Sequence, residues 1–182
     1  LFDMDGILYD SERFYMDGTV VQMRRFGYTG PAEDVYRILG TTMDGTYDIL
    51  YDLLEGKVPR KEIVASNERY FTEECPIDYR KIMFAGVPEV LCKLKDAGIY
   101  LGCCSSSPYE TIMDSLRAMD IAQYFAYIES GEKVPHAKPA PDIYLLAAEA
   151  LGIPGGSEPY NYGQICYQLC SFQKMRRGMC LM

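Results

Sequence analysis

The order of apolar and polar residues divides the chain into a helical segment and a segment in which helices alternate with short apolar runs. Between about residues 13 and 80, glycines and prolines separate four stretches of helical character. From residue 86 onward, helical stretches alternate with apolar runs of strand length at residues 99–104 and 125–129. Four helices with short connections are typical of a small bundle. Alternating helices and apolar strands predict a parallel sheet with helices on both faces.

The chain opens with a short apolar run that leads into an acidic turn, and the order is Leu1, Phe2, Asp3, Met4, Asp5 and Gly6. If the apolar pair ends a strand, Asp3 lies at the carboxyl edge of a sheet, where open α/β sheets bind their ligands. Alternate residues of an extended segment point the same way, so we expect Asp3 and Asp5 to face one small volume. Two carboxylates that close repel unless a cation such as Mg²⁺ lies between them. The alternative is an acidic surface turn, since Asp-Gly is a common turn signal.

Together these patterns predict an α/β protein with a three-layer, Rossmann-like parallel-sheet core and an inserted helical bundle. We expect residues 1–12 and 81–182 to form the core domain, and residues 13–80 to form a helical cap over the active site. An independent helical domain is the alternative, but the insertion lies between segments that carry the candidate chemistry. A strand normally has about five or six residues, and only two precede Asp3. We therefore expect the natural start of the protein to lie further upstream.

Composition limits the classes of function. The 182 residues are 48% hydrophobic and 24% charged, which suits an ordered chain with an apolar core. A formal net charge of −8 argues against a nucleic-acid partner, because phosphate backbones require clustered Lys and Arg. No apolar run approaches the roughly 20 residues of a membrane helix, so no membrane partner is expected. The seven cysteines lack a Cys-x-x-Cys pair and favour a reducing, cytoplasmic location. We expect a monomer.

Two further segments place polar residues next to helix starts. Ser105 and Ser106 follow the first apolar run and precede a helix, where hydroxyl and free N–H groups bind phosphate oxygens well. Lys138 begins a Lys-Pro-Ala-Pro-Asp run just before another helix. Taken alone, a serine run is more often a helix cap, and a single lysine is usually a solvated charge. The lone histidine, His136, supports neither a zinc site nor a histidine-based triad, and we interpret it as a loop residue.

Three motifs resemble those of one enzyme superfamily. They are the opening Phe-Asp-x-Asp-Gly-x-Leu-x-Asp-Ser-Glu, the serine after the first strand, and the Lys-Pro-x-Pro-Asp run. In this order they resemble the first three motifs of the haloacid dehalogenase superfamily, in the branch of phosphatases and phosphomutases similar to β-phosphoglucomutase. The resemblance implies a phosphoric monoester hydrolase with Mg²⁺ as its cofactor. Its implied substrate is a small phosphorylated metabolite such as a sugar phosphate.

The resemblance also implies a role for each candidate residue. Asp3 is the nucleophile that forms an aspartyl-phosphate intermediate. Asp5 is the general acid for the leaving alcohol and then the general base for water. The Asp3 carboxylate and the Asp5 backbone carbonyl contribute to the Mg²⁺ site. Ser105, Ser106 and Lys138 bind the phosphoryl group, and Lys138 places a fixed positive charge beside the anions.

The chain departs from the family pattern near its end. Acidic residues of a fourth motif, which complete the metal site, are expected near residues 162–164, but no Asp or Glu follows Glu158. One hypothesis is a reading-frame error over residues 160–178, because shifted frames can encode an acidic motif there. A clean reading frame in the coding DNA would rule it out. A catalytically inactive binding protein that retains the fold is another hypothesis.

The mutase alternative is weakened at three positions of the sequence. The resembled mutases carry Arg, Lys and His where this chain has Met43, Pro108 and Tyr15. In those mutases the Arg at the position of Met43 holds the distal phosphate of the substrate. A phosphatase is therefore the preferred interpretation of the sequence.

Overall fold

The structure, a computed structural model, describes residues 1–152, which form two compact units. One unit contains Leu1–Tyr9 together with the described residues from Tyr79 onward, and the other is the intervening segment Asp10–Asp78. The fourth-motif region and the hypothesis of a shifted reading frame concern residues outside the described part of the chain. None of the helices in residues 1–152 is long and apolar enough to cross a membrane.

The unit Asp10–Asp78 is helical. The Asp10 carboxylate accepts the N–H of Arg13, and the Thr42 hydroxyl accepts the N–H of Gly45, so two of its helices have side-chain N-caps. A π-helical turn, Tyr70–Glu74, follows the last helix. The helices are α1 (Ser11–Arg25), α2 (Ala32–Val35), α3 (Met43–Leu53) and α4 (Arg60–Arg69). Their shared core contains Met23, Tyr28, Val35, Leu50, Leu54 and Ile63.

The other unit is built on parallel strands. Strand β1 (Gly102–Ser105) pairs with β2 (Tyr127–Ser130), and Ser105 lies opposite Ser130. Phe2 forms a parallel bridge to Cys103 of β1, with its N–H 2.8 Å from the Gly102 carbonyl oxygen. The opening segment therefore lies beside β1 in the same direction. The predicted α/β fold with parallel strands is confirmed.

Helices cover both faces of this sheet, as the contacts of two successive residues of β1 show. Successive residues of a strand point to opposite sides. Cys103 belongs to an apolar cluster with Leu91 and Ile112, whereas Cys104 belongs to a second cluster with Ile143. The sheet thus lies between two helical layers. The helices of this unit are α5 (Tyr79–Ile82), α6 (Val87–Asp96), α7 (Tyr109–Ala118) and α8 (Asp142–Ala150).

Strand β1 begins later than the apolar run at residues 99–104 predicts. Ile99 and Tyr100 are 49% and 73% exposed, and regular pairing starts at Gly102. The partner residues Phe2 and Tyr127 set this limit, since a strand is defined by what it pairs with. Hydrophobicity therefore predicts the strand but not its first residue.

Candidate active site

The first aspartate of the opening turn leaves the sheet at its carboxyl edge. Phe2 pairs with β1, so Asp3 emerges beside the end of that strand. Gly6 has a φ of 70°, in the left-handed region that favours glycine, and its N–H donates to the Tyr9 carbonyl at 2.9 Å. The turn leaves Asp5 exposed to solvent. The sequence folds this way because glycine permits the reversal directly after the second acid.

Lys138 is in direct contact with Asp3. Its Nζ lies 2.9 Å from Asp3 Oδ1 and donates to the Cys104 carbonyl at 2.8 Å. The same ammonium group lies 5.3 Å from the centre of the Tyr144 ring, which is cation–π geometry. Three different partners therefore hold a lysine side chain that is 18% exposed. The structure brings the predicted nucleophile and the predicted cation together.

Asp5 contacts the loop that carries the serines. Its Oδ2 accepts a hydrogen bond from Ser107 Oγ at 3.4 Å. Burial is the main cause that raises the pKa of the Tyr9 phenol above its ordinary value, and the negative charge of Asp5 is the second. The Tyr9 side chain near this carboxylate is therefore uncharged at neutral pH. An exposed carboxylate with a hydroxyl donor is accessible for proton exchange with a substrate or water.

Ser105 and Ser106 lie in the loop between β1 and α7. Ser105 is buried, and its Oγ accepts the N–H of Ser107 at 3.2 Å. A hydroxyl retains its own proton when it accepts, so the Ser105 O–H remains a donor for an anion. Ser106 is exposed. Within residues 1–152, no hydrogen bond joins either serine to the two aspartates or to the lysine.

Three contributors to this arrangement are missing from the sequence prediction: the Cys104 carbonyl, Ser107 and Tyr144. Ser107 lies in the serine run, so the sequence carries a signal for it, namely a third hydroxyl two residues after Ser105. The Cys104 carbonyl is a main-chain group that every residue has. The Tyr144 ring meets Lys138 only because α8 packs against β1. These two contacts depend on tertiary structure and have no sequence signal.

His136 lies in the loop that carries Lys138. Its Nδ1 is 2.8 Å from Asp142 Oδ2, and its side chain is 74% exposed. His136 and Asp142 lie on either side of Lys138 in the sequence, and their contact joins the loop to the first residue of α8. This position agrees with the interpretation of His136 as a loop residue.

Two buried thiols adjoin the site but are unsuited to be nucleophiles. Burial is the main cause that raises the pKa of Cys103 to about 12 and that of Cys104 to about 11. Such thiols are protonated at neutral pH, so the chemistry favours the carboxylates.

The two aspartates supply the kind of ligand that a hard divalent cation requires. Both contacts of the Asp3 carboxylate within residues 1–152 use Oδ1, with Lys138 and with the Met4 N–H at 2.8 Å. No contact within the described residues uses its second oxygen, Oδ2. Mg²⁺ is commonly held by one or two carboxylates together with other oxygen ligands, water and substrate phosphate, so the Asp3 carboxylate and the Asp5 backbone carbonyl fit it. Residues 1–152 contain no cluster of three or more His, Cys, Asp or Glu side chains that could hold a metal.

A family model and individual relatives point to the same protein family. The model of the haloacid dehalogenase-like hydrolases matches residues 1–157. The chain is 32% identical over 163 residues to a phosphorylated carbohydrates phosphatase of Thermotoga maritima, with 84% of this chain and 70% of that protein covered. It is 30% identical over 156 residues to hexitol phosphatase B of Escherichia coli strain K12, with 84% and 69% covered.

A solved structure agrees with these sequence matches. The crystal structure of a haloacid dehalogenase-superfamily hydrolase of subfamily IA from Geobacter sulfurreducens is 26% identical, with a TM-score of 0.63. The match covers 88% of this chain and 79% of that one. The resemblance drawn from the three motifs is confirmed, and this chain belongs to the haloacid dehalogenase-like hydrolase family.

Proposed function

We propose that this chain is a Mg²⁺-dependent phosphatase that hydrolyses a small phosphorylated metabolite of the sugar-phosphate type through an aspartyl-phosphate. The enzyme class, phosphoric monoester hydrolase, follows from the family and from relatives named as phosphatases. Two of those names specify phosphorylated carbohydrates and hexitols, which supports a sugar-phosphate substrate. The contact between Lys138 Nζ and Asp3 Oδ1 at 2.9 Å carries the proposal, because it fixes a cation beside the candidate nucleophile.

In the first step, a carboxylate oxygen of Asp3 attacks the phosphorus atom of the ester. A bond forms between Asp3 and phosphorus, the bond to the leaving oxygen breaks, and the leaving alcohol takes a proton from Asp5. In the second step, Asp5 takes a proton from a water molecule, whose oxygen attacks phosphorus and releases inorganic phosphate from Asp3. Asp5 is thus protonated again and ready for the next substrate.

Lys138, Ser105 and Ser106 bind the phosphoryl oxygens in this proposal. The lysine charge balances negative charge that accumulates during transfer, and its contacts with the Cys104 carbonyl and the Tyr144 ring hold it in place beforehand. Ser105 offers its hydroxyl proton, and Ser106 offers its backbone N–H. Preorganised donors of this kind avoid the cost of reorienting water at the moment of reaction.

The Asp3 carboxylate and the Asp5 backbone carbonyl would hold Mg²⁺, which would offset the negative charge of the phosphate and of Asp3 when bound. The helical unit Asp10–Asp78 serves as the cap that selects the substrate. Its Met43 is 69% exposed and apolar, so it offers no cation for a second phosphate group. This feature favours a phosphatase over a phosphosugar mutase.

Hydrolysis of p-nitrophenyl phosphate by the full chain, with and without Mg²⁺, tests the proposal. We expect turnover that depends on Mg²⁺ and that Asp3→Asn lowers by roughly 10³-fold or more, as loss of a nucleophile does. Asp114→Asn is the matched control, because Asp114 is an exposed carboxylate on α7. Equal activity of wild type and Asp3→Asn would contradict the proposal, and an inactive wild type would favour the binding-protein hypothesis.

A further inference from the structure

The last residue of β2 holds the serine loop through its side chain. Ser130 is fully buried, and its Oγ lies 2.7 Å from the carbonyl oxygen of Ser107, to which it donates. Ser130 is the register partner of Ser105, so the contact joins neighbouring strand ends. A hydroxyl has one proton, and the short distance assigns that proton to the Ser107 carbonyl.

The next two residues hold the same loop at other points. A Cβ atom on Gly131 would lie 3.2 Å from Ser106 Cα, so the two backbones are in close contact. Glu132 Oε2 accepts the N–H of Tyr109 at 3.1 Å, and the Glu132 N–H donates to Ser130 Oγ at 3.2 Å. The segment Ser130–Glu132 is therefore attached to the loop both at its serines and directly after them.

Ser107 connects this attachment to the proposed acid and base. Its carbonyl is bound by Ser130, and its own hydroxyl donates to Asp5 Oδ2 at 3.4 Å. Without the Ser130 hydroxyl, the partly buried Ser107 carbonyl loses its partner, and leaving a partly buried polar group unpaired carries a cost. The loop would relax, and the hydroxyl that faces Asp5 would move with it.

We propose that Ser130, with Glu132, acts through Ser107 to position Asp5 for proton transfer to the leaving group. These are positioning residues, since none of them touches the reacting atoms in the scheme above. The inference rests on the proposed function, because it assumes that Asp5 protonates the leaving oxygen.

Two aryl esters that differ in leaving-group basicity test this link in the full chain. p-Nitrophenolate departs readily without a proton. Phenolate is more basic, since the pKa of phenol is about 10, as in tyrosine, and its departure therefore depends more strongly on protonation. The measurement is kcat/KM for p-nitrophenyl phosphate and for phenyl phosphate, because this constant reports the steps up to departure of the leaving group. The variants are Asp5→Asn, Ser107→Ala, Ser130→Ala and Glu132→Ala.

A general acid is typically responsible for about 10²- to 10⁴-fold in rate, and misplacing it forfeits part of that factor. Asp5→Asn should lower kcat/KM more for phenyl phosphate than for p-nitrophenyl phosphate. We expect Ser107→Ala and Ser130→Ala to show the same preference, with a loss about tenfold greater for phenyl phosphate. Glu132→Ala should show the same difference between the two esters, but a smaller one. The Glu132 side chain is exposed, so this variant should fold even if Ser130→Ala does not. A purely structural defect would lower both constants equally.

Thr19→Val is the control, because Thr19 is also buried and its hydroxyl also donates to a backbone carbonyl, that of Tyr15 at 2.8 Å, within the helical unit. Its ratio of the two constants should equal that of the wild type. If Asp5→Asn is selective but the Ser107, Ser130 and Glu132 variants keep the wild-type ratio, the positioning inference is wrong and the proposed function stands. If the wild type hydrolyses neither ester, or Asp5→Asn shows no selectivity, the proposed function fails and this inference fails with it.

Discussion

At the scale of single residues, the site depends on a charge held in place by neutral partners. Lys138 is bound by the Cys104 carbonyl and lies over the Tyr144 ring, in addition to its contact with Asp3. Lys95 makes the same kinds of contact elsewhere, donating to the Gln123 carbonyl at 2.8 Å and lying 5.7 Å from the centre of the Tyr124 ring. The difference between them is the carboxylate.

Lys138→Met tests the role of that charge while keeping the length of the side chain. We expect kcat/KM for p-nitrophenyl phosphate to fall about 10²- to 10³-fold, as for loss of a preorganised donor. The free energy of unfolding should change by about 1 kcal/mol or less, since a partly exposed ion pair contributes little. Activity assays and urea denaturation measure the two effects. Lys95→Met is the control and should retain activity; a similar loss in both variants would argue against the proposed role.

At the scale of elements, the same tripeptide adopts different structures in different surroundings. Met-Asp-Gly occurs at residues 4–6, 16–18 and 43–45. The first copy forms the turn after the Phe2 bridge, whereas the other two lie within α1 and α3. The sequence distinguishes the first copy from the other two, because only the first follows a short apolar run that predicts a strand end. What Gly18 does within α1 is visible only in the packing, because the ring of Phe71 lies against it.

Gly18→Ala should therefore destabilise the helical unit. The added Cβ would lie 2.5 Å from Phe71 Cε1, and that ring is confined by contacts with Phe14, Tyr15 and Tyr70. Overpacking costs about 1–3 kcal/mol, against about 1 kcal/mol gained from helix propensity. We expect a lower urea midpoint for Gly18→Ala and an unchanged or higher one for Gly45→Ala, whose nearest contact is 3.3 Å. A stabilised Gly18→Ala protein would show that the ring moves freely.

Burial of strand β1 should also be visible in its thiol chemistry. Because burial raises the pKa of Cys103 to about 12 and of Cys104 to about 11, the reactive thiolate is scarce below those values in the folded protein. At pH 8 we expect both cysteines to resist iodoacetamide until the chain is unfolded. The half-buried Cys75 is the internal control, and peptide mass spectrometry reads each site. Equal labelling of native and unfolded protein at Cys103 and Cys104 would contradict the fold of β1.

At the scale of the whole molecule, the sequence predicts what local pattern and motif determine. The parallel α/β fold and the family follow from alternating elements and from three short motifs, and both are confirmed. The first residue of β1 and the attachment of the serine loop by Ser130 do not follow, because they depend on which segments pair and pack. The roles of Asp3, Asp5, Ser105, Ser106 and Lys138 stay predictions that only solution chemistry can test.

Chemical trapping of a phosphoryl group on Asp3 tests the central claim most directly. The full chain is mixed with p-nitrophenyl phosphate and Mg²⁺, quenched in acid within the first turnovers, digested, and analysed by mass spectrometry. We predict a phosphoryl adduct on Asp3 that hydroxylamine removes and that is missing from Asp3→Asn. Turnover of substrate with no adduct on that residue at any quench time, or an adduct on another residue, would contradict the account.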